Sequence, residues 1–459
     1  MKKDILRIYG ANLLKMLVTF LTAFIIPMVL SVEQYGYLKT YQFYVSYLGI
    51  LHLGFCDGIY LEYGGQDINK IDKKRMACEH KTLLIYEMFI MSIFLFVGVL
   101  KGDFILVVFA LTVVPGIMST YYTYTYQAVG EFKTYTSILN LSTVTNLVAN
   151  LILVLCHVQD YRIYVIVYCL VQYISGAIGI IFFGRCGWIN LQEKASLSIL
   201  IKYIKFGILL MIGNFVYIIF LGIDKWFIKF TLDISQFSMY SFATQMMTIV
   251  NMVITPIAMT LYSNMRSRMN QIFEIRIKNI LLGILMVMPA AIFVIKFIID
   301  NFIDKYKQVI PVMSILIIMQ LFLCLNTALF VNLYKVYRQQ KAYFVRLIIA
   351  VMIAFLLDLG VSIVCPCIEG YAIASLIACL FWLIENILYF KYMHLTVREI
   401  LFIGGLIGVF ICMFAMVDNV LIQIAVYMIV YLILMKVLMK DFSVFVKTQI
   451  HNIYARFVK

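Results

Sequence analysis

Apolar positions run along this chain in blocks of about 20 residues, closed at each end by charges or turn-forming residues, and they do not alternate with polar ones. Runs of that length suit helices crossing a membrane's hydrocarbon core, whereas a transmembrane barrel would alternate over roughly ten residues at a time. Fourteen runs are read, at 9–30, 37–61, 82–100, 104–127, 135–156, 163–183, 203–222, 237–262, 279–299, 311–334, 343–364, 371–390, 400–417 and 420–438. Most contain a Gly, Ser, Thr or Asn, and small residues let helix backbones approach closely in lipid. The pattern predicts an all-α polytopic membrane protein of about 14 transmembrane helices.

Composition agrees with the pattern and adds an orientation. The 459 residues are 64% hydrophobic and 13% charged, with a mean hydropathy of +0.98, against about 25% charged for ordinary soluble domains. Of 37 Lys and Arg, 29 fall on one side of the fourteen-helix arrangement, seven on the other, and Lys39 lies inside a span. Positive charge marks the cytoplasmic side, so both termini are expected in the cytoplasm. The net charge of +14 is then explained by basic inner loops facing an anionic leaflet, and no compact basic domain outside the spans suggests nucleic acid. No cleaved signal peptide is expected, since the first apolar run is long enough to span.

The chain also carries a faint internal echo. Gln34, Tyr35 and Gly36 follow the first run as Gln236, Phe237 and Ser238 follow the seventh, at one constant offset. An even number of helices separates the copies, so the repeats are parallel, and the natural substrate site lies between them. The predicted organisation is an N-terminal six-helix lobe with its inner linker (1–192), a C-terminal six-helix lobe (193–392), and two additional helices with a basic tail (393–459). The longest inner connections are 64–81 and 184–205; polar residues in the second alternate with Leu, Ile and Tyr, as in a segment lying along the inner interface.

Enzyme signatures are absent. The histidines are too scattered for a zinc site of the HExxH kind, and no P-loop or GxSxG elbow occurs. The "CPC" at 365–367 has the look of a metal-binding turn, but no soluble nucleotide-binding or phosphorylation domain accompanies it, and no metal or cofactor is expected. What remains are charges and amides within spans, which are costly in lipid and read as functional by default. Lys15 and Lys39 lie in the first two spans, with Asn12, Asn214, Gln245 and Asn251 as polar uncharged candidates. Asp57 and Glu62 close the second span. Being five apart they point about 140° from each other, which argues against a paired-carboxylate acid/base site and for separate neighbours, such as the basic segment Lys73, Lys74 and Arg75. Asp224 sits beside Lys225 at the outer end of the seventh span, with Glu87, Asp358 and Glu385 in others, and Arg346 is the one arginine placed inside a span.

Two stretches carry a family resemblance. "EQYGYLKTYQFYVSYLGILHLGFCDGIYLEYGG" resembles a YG-containing outer turn, a second helix and an LG-x-x-DG ending; "YIKFGILLMIGNFVYIIFLGIDKWFIKF" with "MYSFATQMMTIVNMVITPIAMTLYSNM" resembles a seventh helix ending in Asp and a Tyr-x-x-Ala eighth helix. Both are similar to the bacterial polysaccharide and O-antigen flippases of the multidrug/oligosaccharidyl-lipid/polysaccharide exporter superfamily. The resemblance implies two six-helix lobes opening alternately to each side of the bacterial cytoplasmic membrane, and a polyprenyl-pyrophosphate-linked oligosaccharide as cargo. It also implies handover between glycosyltransferases and a polysaccharide polymerase. On this reading Lys15, Lys39, Asn12, Gln245, Asn214 and Arg346 are expected to line the substrate cavity, and Asp57, Glu62 and Asp224 to form gate ion pairs. The competing readings are a drug/cation antiporter, which needs a carboxylate in mid-membrane, and a membrane-embedded polymerase or ligase, which needs a long outer loop.

Overall fold

The computed structural model describes residues 2–190, 192–268, 270–439 and 442; among them every regular element is helical. The chain divides into two compact units, Met1–Ile219 and Phe220–Lys459. The first contains α1 (Lys2–Val29), α2 (Val32–Val45), α3 (Leu48–Leu51), α4 (Phe55–Tyr63), α5 (Lys73–Lys101), α6 (Phe104–Ala128), α7 (Phe132–Leu155), α8 (Tyr161–Arg185) and nearly all of α9 (Leu197–Phe220). The second contains α10 (Ile223–Thr231), α11 (Ile234–Arg268), α12 (Gln271–Leu285), α13 (Ala290–Phe302), α14 (Ile310–Leu325), α15 (Val331–Val336), α16 (Gln340–Val364), α17 (Ile368–Tyr389), α18 (Val397–Met416) and α19 (Val420–Leu438).

Among the described residues, twelve helical stretches are long and apolar enough to cross a membrane. The other two runs read from the sequence are helical but differ in form. Run 37–61 is divided among α2, α3 and α4, and run 237–262 falls in the 35-residue α11, whose apolar residues are interspersed with Ser238, Thr244, Gln245, Thr248 and Asn251. Within the first unit α6 is the central helix: 61% of its span is buried, against 17% for α5. It packs on α4, α5, α7 and α8, and the α14–α15 stretch has the same 61% burial in the second unit.

Two local departures from the apolar pattern have clear causes. The basic segment 73–81, expected as loop, is the first part of α5. Asp72 caps it, accepting the backbone N–H groups of Lys74 (2.9 Å) and Arg75 (3.4 Å), so the helix continues past the apolar run. The ninth run is interrupted between α12 and α13 at Met286–Pro289. Pro289 lacks the N–H that a continuous helix would give to the Leu285 carbonyl. The neighbouring carbonyls of Gly283 and Met286 are taken instead by the hydroxyls of Tyr431 (2.9 Å) and Tyr427 (2.7 Å) from α19. In lipid such carbonyls need a protein partner, and the last helix supplies it.

The 184–205 connection is not an amphipathic helix before Leu197. Its described residues form turns, and it is pinned to the first unit: Trp188 is buried, stacked on Tyr126 at 5.8 Å and edge-on to Phe183 at 5.0 Å. Ser196 N–H donates to Thr82 Oγ1 (3.0 Å), and Cys78 Sγ to the Lys194 carbonyl (2.9 Å). Trp188 is the apolar residue of this connection that packs into the first unit.

Candidate functional site

The second apolar run breaks where its sequence reads "HLGFCDG". Leu53 and Gly54 both take positive φ, 48° and 86°, which a continuing helix forbids. His52 Nδ1 accepts the Gly54 N–H at 3.0 Å and so caps the break. The glycines do more than permit a bend. A Cβ on Gly207 of α9 would lie 2.0 Å from the Gly54 carbonyl oxygen, and one on Gly58 would lie 2.5 Å from the Tyr203 carbonyl oxygen. Gly54, Gly58 and Gly207 thus bring the backbones of α4 and α9 into direct contact, as small residues do at membrane helix crossings.

This crossing sends the two carboxylates of α4 to different places. Asp57, in the first turn, is buried, with Oδ2 4.0 Å from His52 Nε2. Together they line a cavity of about 100 Å³ whose other polar walls are Ser46, Tyr47, Tyr124 and Asn214. Because His52 Nδ1 is occupied as an acceptor, the proton of the neutral ring sits on Nε2, on the Asp57 side. Asp57 and Asn214, candidates from separate spans, are thereby brought to one cavity.

Glu62, five residues on, enters an ionic knot at the other end of α4. Arg75 donates to Glu62 Oε1, to Glu79 Oε1 (3.0 Å) and to the Tyr203 hydroxyl (2.8 Å). Tyr203 and Tyr63 donate in turn to Glu79, at 2.5 and 2.8 Å, and Lys202 reaches Glu62 at 3.0 Å. Glu79 has no exposed side-chain surface, so its charge is acceptable only with these three donors in place. The knot ties α4 and α5 to the start of α9.

In the second unit Asp224 is buried at the start of α10. It accepts from the Tyr240 hydroxyl, from Ser375 Oγ (3.1 Å) and from the Lys225 backbone N–H (2.7 Å). Arg346, half-buried in α16, lies 4.0 Å over the Tyr389 ring and donates to the Ala342 carbonyl. Gln245 is half-buried on α11. In the first unit Lys15 and Asn12 are exposed on α1, and Lys39 lies 5.0 Å over the Tyr35 ring and donates to Gln42 Oε1 at 2.9 Å. None of these three lies on the His52–Asp57 cavity among its described lining residues. Glu87 and Asp358 are buried with no hydrogen-bond partner for either carboxyl oxygen among the described residues.

Sequence reading did not single out Glu79, Tyr63 and Tyr203, nor the buried pair Lys278–Glu399 (2.7 Å). The spacing Arg75-x-x-x-Glu79 is a local signal for the first. The second joins positions 121 apart in sequence, which no local pattern reveals.

The family model described as polysaccharide biosynthesis protein matches residues 1–264. No curated protein matches the chain in sequence. Among solved structures, lipid II flippase MurJ in an inward closed conformation superposes with a TM-score of 0.68 at 13% identity, covering 96% of this chain and 99% of that one. An inward-facing multidrug resistance MATE family transporter of the MOP superfamily superposes at 0.61 with 12% identity, covering 82% and 94%. At such identities the likeness is one of fold. With a single family model running through more than half of its length, this multi-pass, all-α membrane protein belongs to the polysaccharide biosynthesis protein family.

Proposed function

We propose that the protein translocates a polyprenyl-pyrophosphate-linked oligosaccharide from the cytoplasmic to the outer leaflet of the bacterial cytoplasmic membrane by alternating access. The observation that carries this reading is the extent of the likeness: the lipid II flippase covers 96% of the chain, the drug transporter 82%, and the family model concerns polysaccharide synthesis. On this reading the units Met1–Ile219 and Phe220–Lys459 act as the two lobes, the expected boundary at 192 moving past α9 because Gly207 holds that helix to α4; 393–459 is an addition to the second, and both termini are cytoplasmic. Cationic and amide groups suit a cargo carrying phosphate and hydroxyls; Lys15, Asn12, Lys39, Asn214, Gln245 and Arg346 contribute them. Glu62 and Asp224 belong to the gating elements, and Asp57 faces the cavity at the break in the second span. Glycosyltransferases supply the cargo and a polymerase consumes it; this chain moves it without breaking a covalent bond.

The test is depletion of the protein followed by assignment of the accumulating lipid-linked unit to a leaflet. Accumulation on the inner leaflet supports translocation. Unpolymerised units on the outer leaflet would make the protein a polymerase or ligase, and an unchanged distribution would favour drug or cation transport.

A further inference from the structure

We infer that the cavity at the break in the second span is a subsite for one substituent of a sugar ring, selective for hydroxyl, amino or N-acetyl groups over a carboxylate. This inference rests on the translocation reading and names the cargo chemistry that one part of the protein recognises. The cavity measures about 100 Å³ and lies wholly within the first unit. Six polar residues from three helices and two connections line it: Ser46 and Tyr47 just beyond α2, His52 after α3, Asp57 on α4, Tyr124 on α6 and Asn214 on α9. That set joins a carboxylate and an amide to an imidazole N–H in a space that takes a hydroxyl, amino or N-acetyl group and not the ring that bears it.

Charge decides the class of sugar. Asp57 is the only carboxylate among the described lining residues, and no Lys or Arg is among them. The one basic side chain, His52, has Nδ1 committed to Gly54, leaving Nε2 directed at Asp57. A uronic acid placed here would set one carboxylate against another in a half-enclosed site without a cation, whereas a hydroxyl or ammonium group gains a charge-assisted bond.

The site is also built to hold its shape. Asp57 and His52 are each 4% exposed, the break between them is fixed by positive φ at two consecutive residues, and α9 is locked against α4 by Gly54, Gly58 and Gly207. Asn214, seven residues or two helical turns beyond Gly207, is carried into the lining by the same helix. Polar groups fixed by their surroundings recognise a ligand without a further ordering cost.

The experiment is saturation-transfer NMR on the full chain in lipid nanodiscs, with free glucosamine, N-acetylglucosamine and glucuronic acid as separate probes. The expected result is transfer to the first two and, for glucuronic acid, a signal about tenfold weaker, the magnitude of one unfavourable charge contact. Asp57→Asn is expected to abolish the discrimination between glucosamine and glucuronic acid; Asn214→Leu, a change on a different helix of the lining, is expected to weaken N-acetylglucosamine. Melting temperature checks that each variant is folded, and if Asp57→Asn does not fold, Asn214→Leu and the wild-type ranking decide alone. Equal transfer to glucuronic acid in the wild type, absence of transfer to any probe, or wild-type signals in the folded variants would each overturn the subsite. The leaflet experiment separates the two ideas: inner-leaflet accumulation on depletion with no sugar signal leaves translocation standing and removes the subsite alone.

Discussion

At the scale of single residues, Gly207 and Arg75 are the positions where one atom or one charge decides most. A methyl group on Gly207 would sit 2.0 Å from a backbone oxygen that no rotamer can move aside. Gly207→Ala is therefore expected to destabilise the first unit by about 2 kcal/mol, in the range of overpacked cores, read as a lowered melting temperature in detergent. An unchanged melting temperature would mean that α4 and α9 do not touch there. Arg75→Ala leaves Glu62 with Lys202 alone and Glu79 with two tyrosines, and is expected to cost about 3 kcal/mol. Arg75→Lys should recover only part of this, because an ammonium group lacks the planar fork that serves Glu62, Glu79 and Tyr203 together. Full recovery by lysine would reduce the knot to simple charge pairing. The pattern Arg75-x-x-x-Glu79 and the glycines around Asp57 were legible in the sequence. That α9 lies against both was not, because Tyr203 and Gly207 are more than 120 positions from Arg75 and about 150 from Gly54 and Gly58.

At the scale of elements, hydropathy located the apolar runs but not their breaks. A run of apolar side chains looks the same whether its backbone is one helix or two, since the signal reports transfer to lipid and not hydrogen bonding. The break at Pro289 holds because Tyr427 and Tyr431 cap the freed carbonyls. Tyr427→Phe removes one cap from a buried carbonyl and is expected to cost about 1–2 kcal/mol of thermal stability, with the double change to phenylalanine costing more. No loss in either variant would show that the carbonyls find other partners. The 184–205 connection makes the same point: its mixture of polar and apolar residues suits an interface, yet Trp188 and the Ser196–Thr82 bond tie it to the first unit. A cysteine placed at Glu193, which is half-buried in that connection, is expected to react with a membrane-impermeant maleimide only after permeabilisation, above the background of the ten native thiols. Labelling in intact cells would invert the orientation proposed from the basic inner segments.

At the scale of the whole molecule, the proposed activity depends on a polar path through a protein whose exterior faces lipid, and Lys15 is where this is most easily probed. It is exposed on α1, and its side chain has no structural partner among the described residues. Lys15→Ala is therefore expected to lower export of the lipid-linked unit severalfold while protein level and melting temperature hold; full export in that variant would remove Lys15 from the path. By itself the sequence determined the class of the molecule: all-helical and many times membrane-spanning. Those properties are sums over residues, and lipid responds to sums. The sequence offered the Arg75 segment as a neighbour for these carboxylates; only the tertiary structure decided that Glu62 takes it while Asp57 faces a small polar cavity with Asn214. Such pairings depend on which backbones can approach, and three glycines on two distant helices set that distance.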